Sequence, residues 1–82
     1  MTSTVSDKLL ELLESLTHTE EVRANPDLRL YDYQLLDSIR TVELMVMIER
    51  EFGIKISPAE FERENWATPR KIITDIERRL SV

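Results

Sequence analysis

Apolar residues recur at helical spacing in three stretches of this chain, and the intervals between them set the expected architecture. Val5, Leu9, Leu12, Leu13 and Leu16 share one side of a helix at about 100° per residue, and Thr4 with Asp7 three residues on supplies a capping start. The spacing predicts a first helix over residues 4–16, with Lys8, Glu11 and Glu14 on its wet side. A richer pattern leads from Leu35 into a helix ending near Phe52. Thr41, Leu44, Met45, Ile48 and Phe52 gather on the side expected to face a core. Ile39, Val42 and Val46 fall together on a different side, flanked by Glu43, Glu49 and Arg50. This apolar surplus has two readings: a docking stripe rimmed by charge, or a helix buried over most of its circumference.

The remaining stretches are shorter. From Thr17 to Gln34 no period is sustained, and so long a loop in so small a chain is expected to be pinned, with Val22, Leu28, Leu30 and Tyr33 available as pins. Glu20 to Ala24 can form one helical turn, and Asn25-Pro26-Asp27 is a turn signal. Asp37 or Ser38 caps the second helix, and Gly53 stands where a left-handed residue ends it. Ile54-Lys55-Ile56 alternates like an extended connector. Ser57-Pro58-Ala59-Glu60 reads as the start of a short third helix ending near Arg63. Thr68-Pro69 opens a fourth, with Ile72, Ile73, Ile76 and Leu80 as its buried face and Arg78 and Arg79 suiting its carboxyl end. The expected fold is all-α: a small four-helix bundle of three main helices plus a short third one, with a long loop between helices one and two, forming a single domain over residues 1–82.

Composition narrows the chemistry. The chain of 82 residues is 41% hydrophobic and 33% charged, with no apolar run near the ~20 residues of a membrane span, so direct membrane insertion is not expected. Met1-Thr2-Ser3-Thr4 has neither a basic region nor an apolar core, and a cytoplasmic location is expected. Without cysteine, and with His18 as the only histidine, no thiolate nucleophile, zinc site or histidine-based catalytic cluster can be assembled. No catalytic residues are expected, and His18 reads as a solvated histidine near a helix end. The net charge of -5 is unevenly spread: residues 1–30 sum to -3 and residues 31–64 to -4, whereas residues 65–82 sum to +2. Acid surrounds Ser38, which points away from nucleic acid and toward partners with basic patches.

Ser38 is the candidate chemical group. Alone, a serine at a helix start is a cap, because its oxygen satisfies an otherwise unpaired backbone amide. Preceded by an acid at the end of a long polar loop, it also reads as an exposed nucleophile. Leu35-Leu36-Asp37-Ser38-Ile39, the Met- and Glu-rich helix behind it and Phe52-Gly53-Ile54-Lys55-Ile56 resemble the acyl carrier protein superfamily. Asn25-Pro26-Asp27, Leu35-Leu36-Asp37-Ser38, Thr41-Val42-Glu43-Leu44 and Phe61-Glu62-Arg63 followed by Trp66-Ala67-Thr68-Pro69 are similar to the D-alanyl carrier proteins of teichoic acid modification, in the same order. The resemblance runs from Asn25 to Leu80, and the Phe-x-Arg-x-x-Trp-x-Thr-Pro run is its sharpest marker.

That resemblance implies a covalent 4′-phosphopantetheine arm on Ser38, with Asp37 its neighbour at the transferase's metal site and no resident metal. It implies a non-enzymatic, monomeric carrier with three partners: a phosphopantetheinyl transferase, an adenylating ligase and an acyl-accepting transferase. The docking candidates are Ile39, Arg40, Val42, Glu43, Val46 and Glu49. Three positions depart from the family's pattern. Gln34 replaces glycine where a side chain resists positive φ, Ile39 replaces leucine or phenylalanine, and Arg40 replaces a small or acidic residue. Trp66 reads either as a core plug or as a wall of the groove near the arm. Alternative functions are a stand-alone carrier of a polyketide or nonribosomal peptide pathway and, from another class, an unmodified helical interaction module.

Overall fold

Thr4 opens the first helix: its hydroxyl accepts the Asp7 N–H at 3.0 Å, and α1 follows over Val5–Thr17 in this computed structural model, which describes residues 4–81. Met1 to Ser3, on which the expectation about export mostly falls, lie outside the described residues, as does Val82. α1 buries Leu9, Leu13 and Leu16 and ends at His18, whose φ of 59° places it in the left-handed region while its N–H reaches the Glu14 carbonyl at 2.8 Å. His18 is thus exposed, as expected, and also forms the turn that stops the helix.

α2 is the single turn Glu21–Ala24, anchored by fully buried Val22. α3 spans Ser38–Phe52 and stops at Gly53, whose φ of 69° is the left-handed conformation a glycine adopts without steric cost. α4 spans Pro69–Leu80, with the Thr68 hydroxyl accepting the Lys71 N–H at 3.2 Å and Pro69 in the first turn. α1 packs against both α3 and α4. Leu9, Leu13, Leu44, Ile48, Ile72 and Ile76 fill one core together with Leu30, Leu36, Ile56 and Trp66. Each such side chain, fully withdrawn from water, contributes on the order of 1.5–3 kcal/mol.

The short third helix differs from the expectation. Ser57 to Phe61 form turns, with the Glu60 N–H on the Ser57 carbonyl at 3.0 Å, and the helical turn comes later, as a 3-10 helix over Arg63–Trp66. The capping signal at Ser57-Pro58 is followed by exposed Ala59, Glu60 and Glu62, so it has no apolar stripe to bury, and a cap alone does not offset the cost of helix nucleation. The 3-10 helix forms where Trp66 enters the core. Trp66 is a core plug: it is 1% exposed, packs edge-on against Phe61 at 5.0 Å between ring centroids, and donates Nε1–H to Asp75 at 2.9 Å.

That acceptor explains a second difference. Asp75 occupies the buried face of α4, where Arg78 and Arg79 also bond to it, at 2.5 and 3.1 Å. Leu80, expected inside, is 39% exposed. At about 100° per residue it lies roughly 80° around the helix from Ile72, on the margin shared with half-buried Ile73.

Candidate functional site

The loop from Thr19 to Leu36 is fastened at both ends before it reaches Ser38. Asp27 donates its N–H to the Asn25 side chain at 3.1 Å, closing the turn at Pro26, and its carboxylate takes Arg70 Nε at 2.9 Å. The same Arg70 donates its backbone N–H to the Pro26 carbonyl at 2.9 Å, so the turn is tied to the start of α4. That side-chain bond holds the Asp27 carboxyl below its ordinary range. Further on, the Leu30 N–H reaches the Ala67 carbonyl at 2.9 Å, and the Leu35 and Leu36 N–H groups return to the Leu30 carbonyl at 2.8 and 3.2 Å. The reversal between them runs through Gln34 at φ 60°, the left-handed conformation a side chain resists. Val22, Leu28 and Leu30 act as pins, but Tyr33 is exposed; buried Leu36 and half-buried Tyr31 take its place.

Leu36 is buried immediately before the motif, and this fixes where α3 begins. Asp37, in extended conformation, is the cap: its Oδ1 accepts the Arg40 N–H at 2.8 Å. Ser38 is therefore the first helical residue. It is exposed, and its hydroxyl makes no hydrogen bond among the described residues. Beneath it runs a chain of hydroxyls. Thr41 Oγ1 donates its single proton to the Asp37 carbonyl at 2.6 Å, so in the 2.7 Å contact between Tyr31 and Thr41 the phenol is the donor. Burial pushes the Tyr31 phenol above its ordinary pKa, keeping it protonated for that role. The Arg63 guanidinium sits over the Tyr31 ring, 4.6 Å from its centroid.

An open groove of about 190 Å³ runs from Ser38 past Tyr31, Thr41, Val42 and Met45 to Pro58, Phe61 and Arg63. A second opening on the other side of Ser38 is lined by Tyr31, Gln34, Asp37, Arg40 and Arg63. A free hydroxyl on a capped first helical turn, bordered by both openings, suits covalent attachment of an extended arm.

The two sides of α3 separate cleanly. Thr41, Leu44, Met45 and Ile48 are buried and Phe52 is half-buried, whereas Ile39, Val42 and Val46 are 71%, 55% and 42% exposed. The helix is thus not buried around most of its circumference. Glu43 lies in the open beside the stripe. Two other candidates have structural duties: Arg40 Nη1 donates to the Leu35 carbonyl at 3.2 Å, and Glu49 accepts the Ile56 N–H at 3.1 Å, clasping the connector that follows the helix. Tyr31 and Arg63 flank Ser38 without having been singled out as site residues. Tyr31 lies in an aperiodic stretch, and Arg63 was visible only as part of the Phe-x-Arg run.

Comparison with known proteins agrees with this geometry. Residues 7–80 match the family model described as the phosphopantetheine attachment site. The chain is 46% identical over 71 residues to the D-alanyl carrier protein of Listeria welshimeri, covering 87% of this chain and 91% of that one. It is 42% identical over 73 residues to the D-alanyl carrier protein of Enterococcus faecalis, covering 89% and 94%, and 38% identical over 74 residues to that of Lacticaseibacillus casei, covering 90% and 91%. Its prosthetic group is 4′-phosphopantetheine, and its role is that of a non-catalytic carrier. The chain belongs to the phosphopantetheine-attachment family of carrier proteins, in the branch of the D-alanyl carrier proteins.

Proposed function

We propose that this protein carries an activated D-alanyl group as a thioester on a 4′-phosphopantetheine arm joined to Ser38. The observation that carries the attachment is the free, exposed Ser38 hydroxyl on a capped helix turn. The cargo rests on the chain's identity with proteins named D-alanyl carriers in three genera. When bound, the arm supplies the thiol that this cysteine-free chain lacks.

Ser38 Oγ attacks the phosphorus of coenzyme A next to the pantetheine, its proton passes to a base on the transferase, and adenosine 3′,5′-bisphosphate leaves. Asp37 serves two ends there: Oδ1 caps the helix, and the exposed carboxylate faces the transferase's metal site. The partners are that transferase, an adenylating ligase and an acyl-accepting transferase. Ile39, Val42 and Val46, with Glu43 beside them, form the docking surface, and weak salt-sensitive contact suits a shuttle that must leave each enzyme. The protein works as a cytoplasmic monomer; no helix among the described residues is long and apolar enough to cross a membrane.

The cargo is tested by incubating the arm-bearing protein with ATP and, in separate reactions, adenylating ligases for D-alanine, for other amino acids and for aryl and fatty acids, each with its own acid, then reading intact mass. A thioester-bound alanyl increment formed in preference to the other acids is expected. Preferential loading of an aryl, fatty or other amino acid contradicts the D-alanyl cargo.

A further inference from the structure

Two guanidinium groups border the opening at Ser38, and they are differently engaged. Arg40 is committed to the Leu35 carbonyl at the end of the loop. Arg63 makes no side-chain hydrogen bond or ion pair among the described residues, although Asp37 lines the same opening. What holds it is the face of Tyr31, and a ring face cannot satisfy the five N–H donors of a guanidinium. Tyr31 in turn is bonded through Thr41 to the Asp37 carbonyl. The cation is therefore fastened, through one ring and two hydrogen bonds, to the residue that caps α3. Arg63 also lines both the groove and the second opening that flank Ser38.

We propose that Arg63, held over Tyr31, is the counter-cation for the phosphodiester that joins the arm to Ser38, and so a positioning residue that sets the direction in which the arm leaves α3. This rests on attachment at Ser38. A phosphodiester there brings a full negative charge to the positive end of a helix, next to a cation with donors to spare. A planar guanidinium can give two parallel N–H bonds to phosphate oxygens, which fixes orientation as well as charge. Lysine would keep the charge and lose the fork.

The test uses the full chain in apo and arm-bearing forms, unmutated and as Arg63→Gln, Arg63→Lys and, as a control, Arg29→Gln, whose parent residue is exposed and paired with Asp32. Peptide mass mapping first establishes that the arm is on Ser38. Phosphorus NMR of the phosphodiester and nitrogen NMR of the Arg63 Nε–H are then recorded at low and high salt. Loading is expected to displace the Arg63 Nε–H signal. Arg63→Gln should move the phosphorus resonance toward that of a free phosphodiester, Arg63→Lys should move it part of the way, and Arg29→Gln should leave it in place. High salt should shrink the difference between the unmutated and Gln forms. An arm on Ser38 with one phosphorus resonance across all four proteins, and an Arg63 signal unmoved by loading, overturns the proposal alone. An unmutated protein that takes no arm on Ser38 overturns the attachment reading and this proposal with it.

Discussion

Ser38 and Asp37 are adjacent and carry opposite consequences for stability. Asp37 satisfies the Arg40 amide, whereas the Ser38 hydroxyl satisfies nothing in the protein. Asp37→Ala should therefore lower unfolding free energy by about 1 kcal/mol, and Ser38→Ala should stay within about 0.5 kcal/mol of the parent, both read from urea midpoints. Gln34 is the other informative position. Its φ of 60° costs an L-residue on the order of 1–2 kcal/mol, and glycine would recover that less the ~0.5–1 kcal/mol of extra chain entropy it loses on folding. Gln34→Gly should thus stabilise by about 0.5 kcal/mol, and Gln34→Val, β-branched, should destabilise. A Gly variant no more stable than the parent would show that the loop relaxes around glutamine.

α3 is where burial and exposure can be set against each other. Val42→Asp should leave thermal stability nearly unchanged while slowing acyl transfer from the ligase, and raised salt should weaken the same step in the unmutated protein. Met45→Asp, one helix face away, should unfold the protein, because it forces a charge into the core. Equal collapse of both variants would remove the docking stripe. α4 carries a pH dependence. Burial by itself would raise the Asp75 carboxyl, but hydrogen bonds from Trp66, Arg79 and Arg78 outweigh it and hold the group below its ordinary range. A depressed carboxyl contributes stability that is present above its unfolded pKa of about 3.9 and lost as pH falls through the lower folded value. Urea midpoints measured between neutrality and pH 3 should fall at the acid end, and the fall should be shallower in Asp75→Asn. These elements also show what the chain made legible. α1, α3 and α4 were readable because each pairs a side-chain cap with an apolar stripe long enough to be buried. Ser57-Pro58 had the cap without the stripe, and no helix forms there. Asp75 was invisible because its place depends on a Trp66 N–H nine residues away, and Tyr31 because its partner Thr41 lies on another element.

The molecule measures 35 × 31 × 18 Å, and its shortest dimension is about two helix diameters of ~10 Å. One seam of apolar side chains fills that thickness, and the openings beside Ser38 are grooves at the surface. Ser38, Ile39 and Val42 accordingly lie on the outside, where an enzyme can reach the serine and its cargo. The fold was legible because so thin a body needs only a few stripes. The exposed apolar stripe proposed for docking was legible as an excess of apolar positions on α3 that one seam cannot absorb, whereas the Tyr31–Arg63 stack needed coordinates. Attachment at Ser38 is tested most directly by intact mass and peptide mapping after incubation with coenzyme A and a promiscuous phosphopantetheinyl transferase. One phosphopantetheine increment on the peptide containing Ser38 is expected, absent from a folded, helical Ser38→Ala protein. An increment that persists in that variant, or that maps to Ser57, contradicts it.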